Sequence, residues 1–379
     1  MPTSPVIDLD RLLTPVSGEQ PAGPELKSAS QSEDRNLYYA VRDARKKAGD
    51  AERRVRAFEL LTEEERKEEP GSPEPADWEA VSRLSIAALA RSKDLWITAW
   101  LIEALTRLHG FAGLRDGIRL AHLLCDKFWD DVHPQPTKEE GSTPRFMQLG
   151  NLNGSDSDGT LVAAIMNVPI TAPRTIRPCS CADYRDAVEL ERKDPNVRSR
   201  RVEQGAVTVD MFQRAIAETK VDFFENLLDD VQQANEAVAS FTTLLGDRIS
   251  DKASLPPSSR IRETLDDCLR LCRLLTKDIL HREGPGDTGE AGVTATSTEK
   301  SGSTDGSGVE TRQEALRTLL RVSEYFRRTE PHSPVSYALE QAVRWAQMSL
   351  PDLLSELVAD RSAREEIFKR AGITPPPEK

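Results

Sequence analysis

Apolar residues recur along this chain at steps of three and four. Leu114, Ile118, Ala121, Cys125, Phe128 and Val132 follow steps of 4, 3, 4, 3 and 4, which places them on one face of an α-helix. His133-Pro134 ends that run. Upstream, Asp77 is an N-cap for a helix carrying Trp78, Val81, Leu84 and Ala88, and Asp94 caps a second helix that Gly110 stops. Residues 220–249 and 258–281 read as two longer helices. Near the C-terminus Thr311 and Glu314 form a capping box ahead of Ala315, Leu319, Val322 and Phe326, again at steps of 4, 3 and 4. The stretch 329–335 breaks the pattern. Ser333 as N-cap and Pro334 as first helical residue restart it, with Leu339, Ala342 and Ala346 on the new face. Two short helices follow, one from Ser349 or Leu350 to Val358 and one from Ser362 to Ala371. Ser362 and Glu365 form a second capping box. Period-2 runs of β-branched residues are nearly absent. The predicted fold class is all-α.

Breaks in the pattern divide the chain. In residues 283–309, seven glycines and nine Ser or Thr fill 16 of 27 positions. Such a stretch buries too little apolar area to offset its ordering entropy, and it reads as a flexible linker. Residues 62–76 are Glu-rich, then Pro-rich, and read as a surface loop. Residues 191–206 are charged and lack periodicity. The expected organisation is a helical domain over 1–140, a middle helical region over 141–282, a linker over 283–310 and a small helical domain over 311–379.

Charge narrows the function classes. The 379 residues carry a formal net charge of -12, which disfavours general nucleic-acid binding, because that needs clustered Lys and Arg. The longest apolar run, Leu161 to Met166, has six residues against the roughly 20 of a membrane helix, so no direct membrane insertion is expected. The N-terminus lacks the basic and apolar regions of a secretory signal, and a cytoplasmic location is expected. Five cysteines, odd and sparse, are not a disulfide framework.

Catalytic motifs are missing: no phosphate-binding glycine loop, no nucleophile elbow, no His-Glu-x-x-His. His122 flanks an apolar stripe and reads as a structural or surface histidine, and His332 sits in a proline-rich turn. Cys179-x-Cys181 has no second ligand pair at zinc spacing. Cys268 and Cys272 face one way on a helix beside Leu265, Leu269 and Leu275, a core setting. Asp156-Ser-Asp158-Gly159 lacks the opening and closing ligands of a calcium loop. No enzyme activity, cofactor or metal is expected. Trp78, Trp96, Trp100 and Trp129 lie on three successive helices, with Trp96 and Trp100 at i, i+4. A helical-hairpin core accounts for them. A partner-facing aromatic patch is the functional alternative, and both hold if one tryptophan points inward and the other outward.

Two groups of segments resemble a known family. Ser92-Lys-Asp-Leu-Trp-Ile-Thr-Ala-Trp100, continuing to Leu114, and Phe128-Trp-Asp-Asp-Val-His-Pro134 resemble the ImpA N-terminal domain of the TssA proteins of bacterial type VI secretion. Leu12 to Ser17, Pro21-Ala-Gly23-Pro-Glu-Leu26 and Asp77-Trp78 are similar to the same domain, with Ala22 where the family often has Cys. Arg312 to Leu316, Tyr325 to Val335 and Arg344-Trp345 resemble the short C-terminal domain of one TssA subgroup. The resemblance implies a non-enzymatic assembly factor that engages baseplate, inner tube and sheath proteins and forms a homo-oligomeric ring through its C-terminal domain. The short ending implies a baseplate-associated ring, with recruitment to the inner face of the cytoplasmic membrane through the secretion machine. Lys93, Asp94, Trp96 and Trp100 are then the candidate partner contacts, and Tyr325, Tyr337 and Trp345 the candidate oligomerisation contacts. A generic cytoplasmic helical adaptor is the alternative. The composition of the last domain is compatible with self-association: ten basic and nine acidic residues over 311–372, and about 60 residues, a marginal core alone.

Overall fold

The computed structural model describes residues 3–136, 143–154, 159–282, 312–329 and 334–357, with Asp360 and Phe368. Its helices are α1 (Leu9–Leu12), α2 (Ser32–Glu59), α3 (Glu63–Glu68), α4 (Trp78–Arg91), α5 (Leu95–Lys127), α6 (Thr143–Asn153), α7 (Thr160–Met166), α8 (Cys181–Glu191), α9 (Pro195–Glu203), α10 (Val209–Glu218), α11 (Val221–Arg248), α12 (Ser259–Arg282), α13 (Arg312–Thr329), α14 (Val335–Gln347) and α15 (Leu350–Leu357). Among the described residues there is no strand, only two isolated bridges, Asp94 with His133 and Pro169 with Ser180. The fold is all-α.

The centre of the N-terminal unit is α5, which is two antiparallel arms. Gly110 sits between them at φ 58° and ψ -137°, a conformation that L side chains rarely adopt. The arms, 95–109 and 111–127, fold back on each other. Their approach is close enough that a Cβ on Gly113 would meet the Leu105 carbonyl oxygen at 2.0 Å. Buried residues cover nearly every side of both arms, from Leu95 and Ile97 to Leu124 and Cys125, so the hairpin is core rather than surface. Helices α2 and α4 pack on it from one part of the sequence, and α6, α7 and α11 from another. Each contributes a narrow apolar stripe. That of α11 runs Phe224, Leu227, Val231, Ala234, Val238, Phe241 and Leu245, at the steps of three and four expected of a helix facing a core.

One hydrophobic cluster runs from Ile7 to Cys272. The expected regions 1–140 and 141–282 therefore share a core, and contacts divide the chain instead into Met1–Asp287 and Thr288–Lys379. The reason is that α5 is buried on nearly every side and needs cover from both parts of the sequence. A buried ion cluster joins the two halves of this unit. Arg115 on α5 pairs with Asp116 at 2.7 Å and with Asp230 of α11 at 3.0 Å. The amides of Thr3 and Val6 donate to Asp230 and Asp116, pinning the start of the chain.

Caps at Asp77 and Asp94 form as expected, accepting from Ala80 N and from Trp96 N and Ile97 N. Other local expectations change. The helix through Cys125 stops at Lys127, with Phe128 at its C-cap, because the chain turns to bring His133 beside Asp94. Segment 62–76 is not all loop: Thr62 and Glu65 make a capping box that starts α3. Segment 191–206 holds α9, capped by Asp194 with Pro195 at its first turn. The five cysteines are free and buried, and burial raises the Cys125 thiol to about 12. The linker, His332, Thr311 and the second capping box lie outside the described residues.

In the C-terminal unit α13 packs on α14. The small side chains of Ser323 and Ser336 lie buried, and Ser323 Oγ donates to Ser336 O at 3.0 Å and to Glu340 at 3.1 Å. Pro334 stands at the N-cap of α14, and Val335 is its first helical residue. Glu356 of α15 accepts from Gln341 and from Trp345 Nε1.

Gly113→Ala should lower stability by about 1–3 kcal/mol, because the added methyl meets backbone rather than a yielding side chain. Urea unfolding of the full chain reads this directly. An unchanged midpoint would mean the two α5 arms are not in close contact.

Candidate functional site

Of the N-terminal segments singled out by resemblance, 12–17, 21–26, 92–114 and 128–134 converge on one corner. Lys93 lies between α4 and α5 and is only 1% exposed. Its ammonium donates to Leu12 O at 2.7 Å and to Leu89 O at 3.1 Å. Its amide donates to Ala22 O at 2.7 Å, and its carbonyl accepts from His133 N at 2.8 Å. Leu95 N returns a bond to His133 O at 2.8 Å, and the His133 ring Nε2 meets Gly23 O at 2.9 Å. Gly23 has φ 72°, and a Cβ there would lie 2.2 Å from Arg91 O. The Pro-Ala-Gly-Pro segment thus needs glycine to lie this close to the end of α4.

Electrostatics follow from burial. Loss of hydration, then the nearby Lys127 ammonium, lowers the Lys93 pKa. Burial raises the Asp94 carboxyl to about 6, opposed by its hydrogen bonds to the Ile97 and Trp96 amides and by His133. These groups look chemical in the sequence, yet each is committed to holding backbone.

The tryptophans are spent in the same way. Trp100 is buried, packs against Tyr38 with the rings tilted at 52° and 5.5 Å apart, and donates to Gln148 at 3.3 Å. Trp96 is partly buried, donates to Pro144 O at 2.8 Å and lies under the Lys27 ammonium at 4.7 Å. Lys93, Asp94 and Trp100 are therefore interior, where an unaltered fold offers a partner no access. Of the four, Trp96 alone keeps a partly open ring. Sequence reasoning missed His133, Gly23 and Arg145. Arg145 clamps Trp129 O and Pro134 O at 2.9 Å each. The His-Pro dipeptide and the glycine between prolines were the available signals.

In the C-terminal unit Tyr325 is 55% and Tyr337 65% exposed. Tyr325 makes an edge contact with Phe326 at 5.7 Å, and Arg327 lies 5.8 Å from the Tyr337 ring. Leu320, Val322, Val335 and Leu357 are also exposed. Trp345 is half-buried and turned to Glu356 at 3.1 Å. Of the three candidates the two tyrosines present the most open surface. No group of three or more His, Cys, Asp or Glu fit to hold a metal occurs among the described residues. No helix among them is long and apolar enough to cross a membrane.

Residues 13–154 match the family described as ImpA, N-terminal, type VI secretion system. The chain is 25% identical over 307 residues to the type VI secretion system component TssA1 of Pseudomonas aeruginosa, covering 78% of this chain and 84% of that one. Its fold is similar to a solved structure from Burkholderia cenocepacia, the N-terminal domain that includes the conserved ImpA_N region of a TssA component. That likeness has a TM-score of 0.57 at 24% identity and spans 73% of this chain and 98% of that one.

The raised Asp94 carboxyl makes a signed prediction. Between pH 4 and 6 the folded state keeps a proton that the unfolded chain has lost, so this group's contribution to stability falls as pH rises through that window. Asp94→Asn, which still caps, should remove the fall. Relative to wild type the variant should gain about 3 kcal/mol between pH 4 and pH 7 in urea melts. Parallel pH profiles would show that Asp94 titrates as an exposed carboxylate.

Proposed function

From an ImpA N-terminal domain at residues 13–154 and likeness to a TssA component along most of the chain, we propose that this protein is a non-enzymatic structural and assembly component of a type VI secretion system. It forms a homo-oligomeric ring, associates with the baseplate and helps prime assembly of the inner tube and contractile sheath. The observation that carries this reading is the similarity to TssA1, which extends well beyond the N-terminal domain. Two structural facts support its parts. At the Lys93, Asp94 and His133 corner the Lys93 ammonium, the Asp94 carboxylate and the His133 Nε2 each bond to backbone, a structural use of these groups. The C-terminal unit exposes Tyr325, Tyr337 and a set of aliphatic side chains, more apolar surface than a unit this small keeps open without purpose.

In this reading residues 311–379 build the ring, residues 283–310 act as the tether, and the N-terminal units reach outward to secretion-machine proteins. Multivalency then turns weak individual contacts into durable ones. The protein works in the cytoplasm and reaches the inner membrane face through the machine it helps assemble. A generic helical adaptor would share the fold but not the ring.

Electron microscopy and light scattering of the full chain should show a ring-shaped particle, and a 1–310 truncation should be far smaller. Tyr337→Glu, and Tyr325→Glu more weakly, should disperse the particle with helical circular dichroism intact. A 1–310 fragment that assembles like the full chain would move ring formation to the N-terminal unit.

A further inference from the structure

Two short helices on the N-terminal unit have no role in its core, and they carry opposite charge. All nine residues of α9 are exposed. An isolated helix of this length is marginal in water, so the Asp194 cap and Pro195 hold a helix whose faces lack cover. The 3.6-residue repeat puts Val197, Arg200 and Arg201 on its outer face. Arg198, Ser199, Val202 and Glu203 turn the other way, into a cleft of about 470 Å³ against α8 and α10. Residues 192–203 hold five basic and two acidic side chains in a chain of net charge -12. Among the described residues Arg200 and Arg201 make no ion pair, and Val197 is 48% exposed.

The counterpart is α3 with the turn before it. Residues 59–69 hold six acidic and two basic side chains. Arg66 is folded back onto Phe58 O and Glu59 O, and Glu65 is committed to the Thr62 cap. Glu64 and Glu68, at i, i+4 on one face, are exposed and unpaired among the described residues, as is Glu69. Leu60 beside them is 57% exposed. Each patch thus joins a charged face to one exposed aliphatic residue. Their charges are complementary, and no described ion pair joins them within one copy.

We propose that α9 of one copy docks on the α3 patch of another, Arg200 and Arg201 meeting Glu64 and Glu68 with Val197 against Leu60. Because the two patches differ, the contact is heterologous and propagates from copy to copy around a closed ring. Exposed ion pairs are individually weak and screened by salt, so the contact forms where copies are already tethered at high local concentration. It rests in that respect on the ring reading above. A second copy is favoured over a continuous polyanion because Glu191, Glu203 and Asp210 line the cleft on the other side of α9.

The test mixes isotopically labelled and unlabelled full-length protein and joins carboxylates to amines with a zero-length carbodiimide. Lys193, which this pairing places at the Leu60 end, should link to Glu59 or Glu64 of the other copy. The Lys193–Glu189 pair, 2.7 Å apart within one copy, serves as internal reference. Arg200→Glu with Arg201→Glu should cut the inter-copy link about tenfold. Adding Glu64→Arg and Glu68→Arg should restore it, and raised salt should weaken it. An assembled particle lacking the link, or a link indifferent to charge reversal, overturns the docking while leaving the ring intact. A monomeric wild-type chain overturns both.

Discussion

A buried ammonium that bonds to main-chain oxygens, with no carboxylate partner among the described residues, ties the N-terminal unit together. Lys93 has lost nearly all its water, and two of its three proton donors meet main-chain oxygens, those of Leu12 and Leu89. An unpaired buried charge would be costly, so these carbonyls must stay in place. That requirement fixes the start of the chain, the end of α4 and the entry to α5 against one another. His133 closes the arrangement by bonding to both Lys93 and Leu95 through its backbone and to Gly23 through its ring. Segments more than a hundred residues apart become one rigid corner.

The α5 hairpin depends on that corner at one end and on Gly110 at the other. Between them the arms touch closely, and their outer sides are apolar enough to demand cover on every side. Helices before and after the hairpin supply it, and the Arg115 cluster with Asp116 and Asp230 sets their register. The result is a rigid body whose polar interior serves architecture. Such a body suits a scaffold, where partners must be presented at fixed angles.

The C-terminal unit follows different physics. Its two longest helices meet at paired serines, and much of its aliphatic and aromatic surface remains outside. A module this small gains from burying that surface against its neighbours.

Much of this was legible in the sequence. The all-α class, the caps at Asp77 and Asp94, the stop at Gly110 and the long helices of α11 and α12 follow from local rules: periodicity, side-chain capping and glycine's freedom at positive φ. The short helices α3 and α9 were hidden because charged, aperiodic stretches carry no apolar stripe, and only a cap marks their start. The roles of Lys93, Asp94 and Trp100 could not be read locally at all. A lysine and an aspartate beside tryptophans look like a surface that binds something. Their burial arises from Leu12, Ala22, Gly23 and His133, whose carbonyls and ring arrive from distant parts of the chain. Hydrogen-bond partners at such separations are set by how helices pack, and a one-dimensional pattern does not contain that geometry.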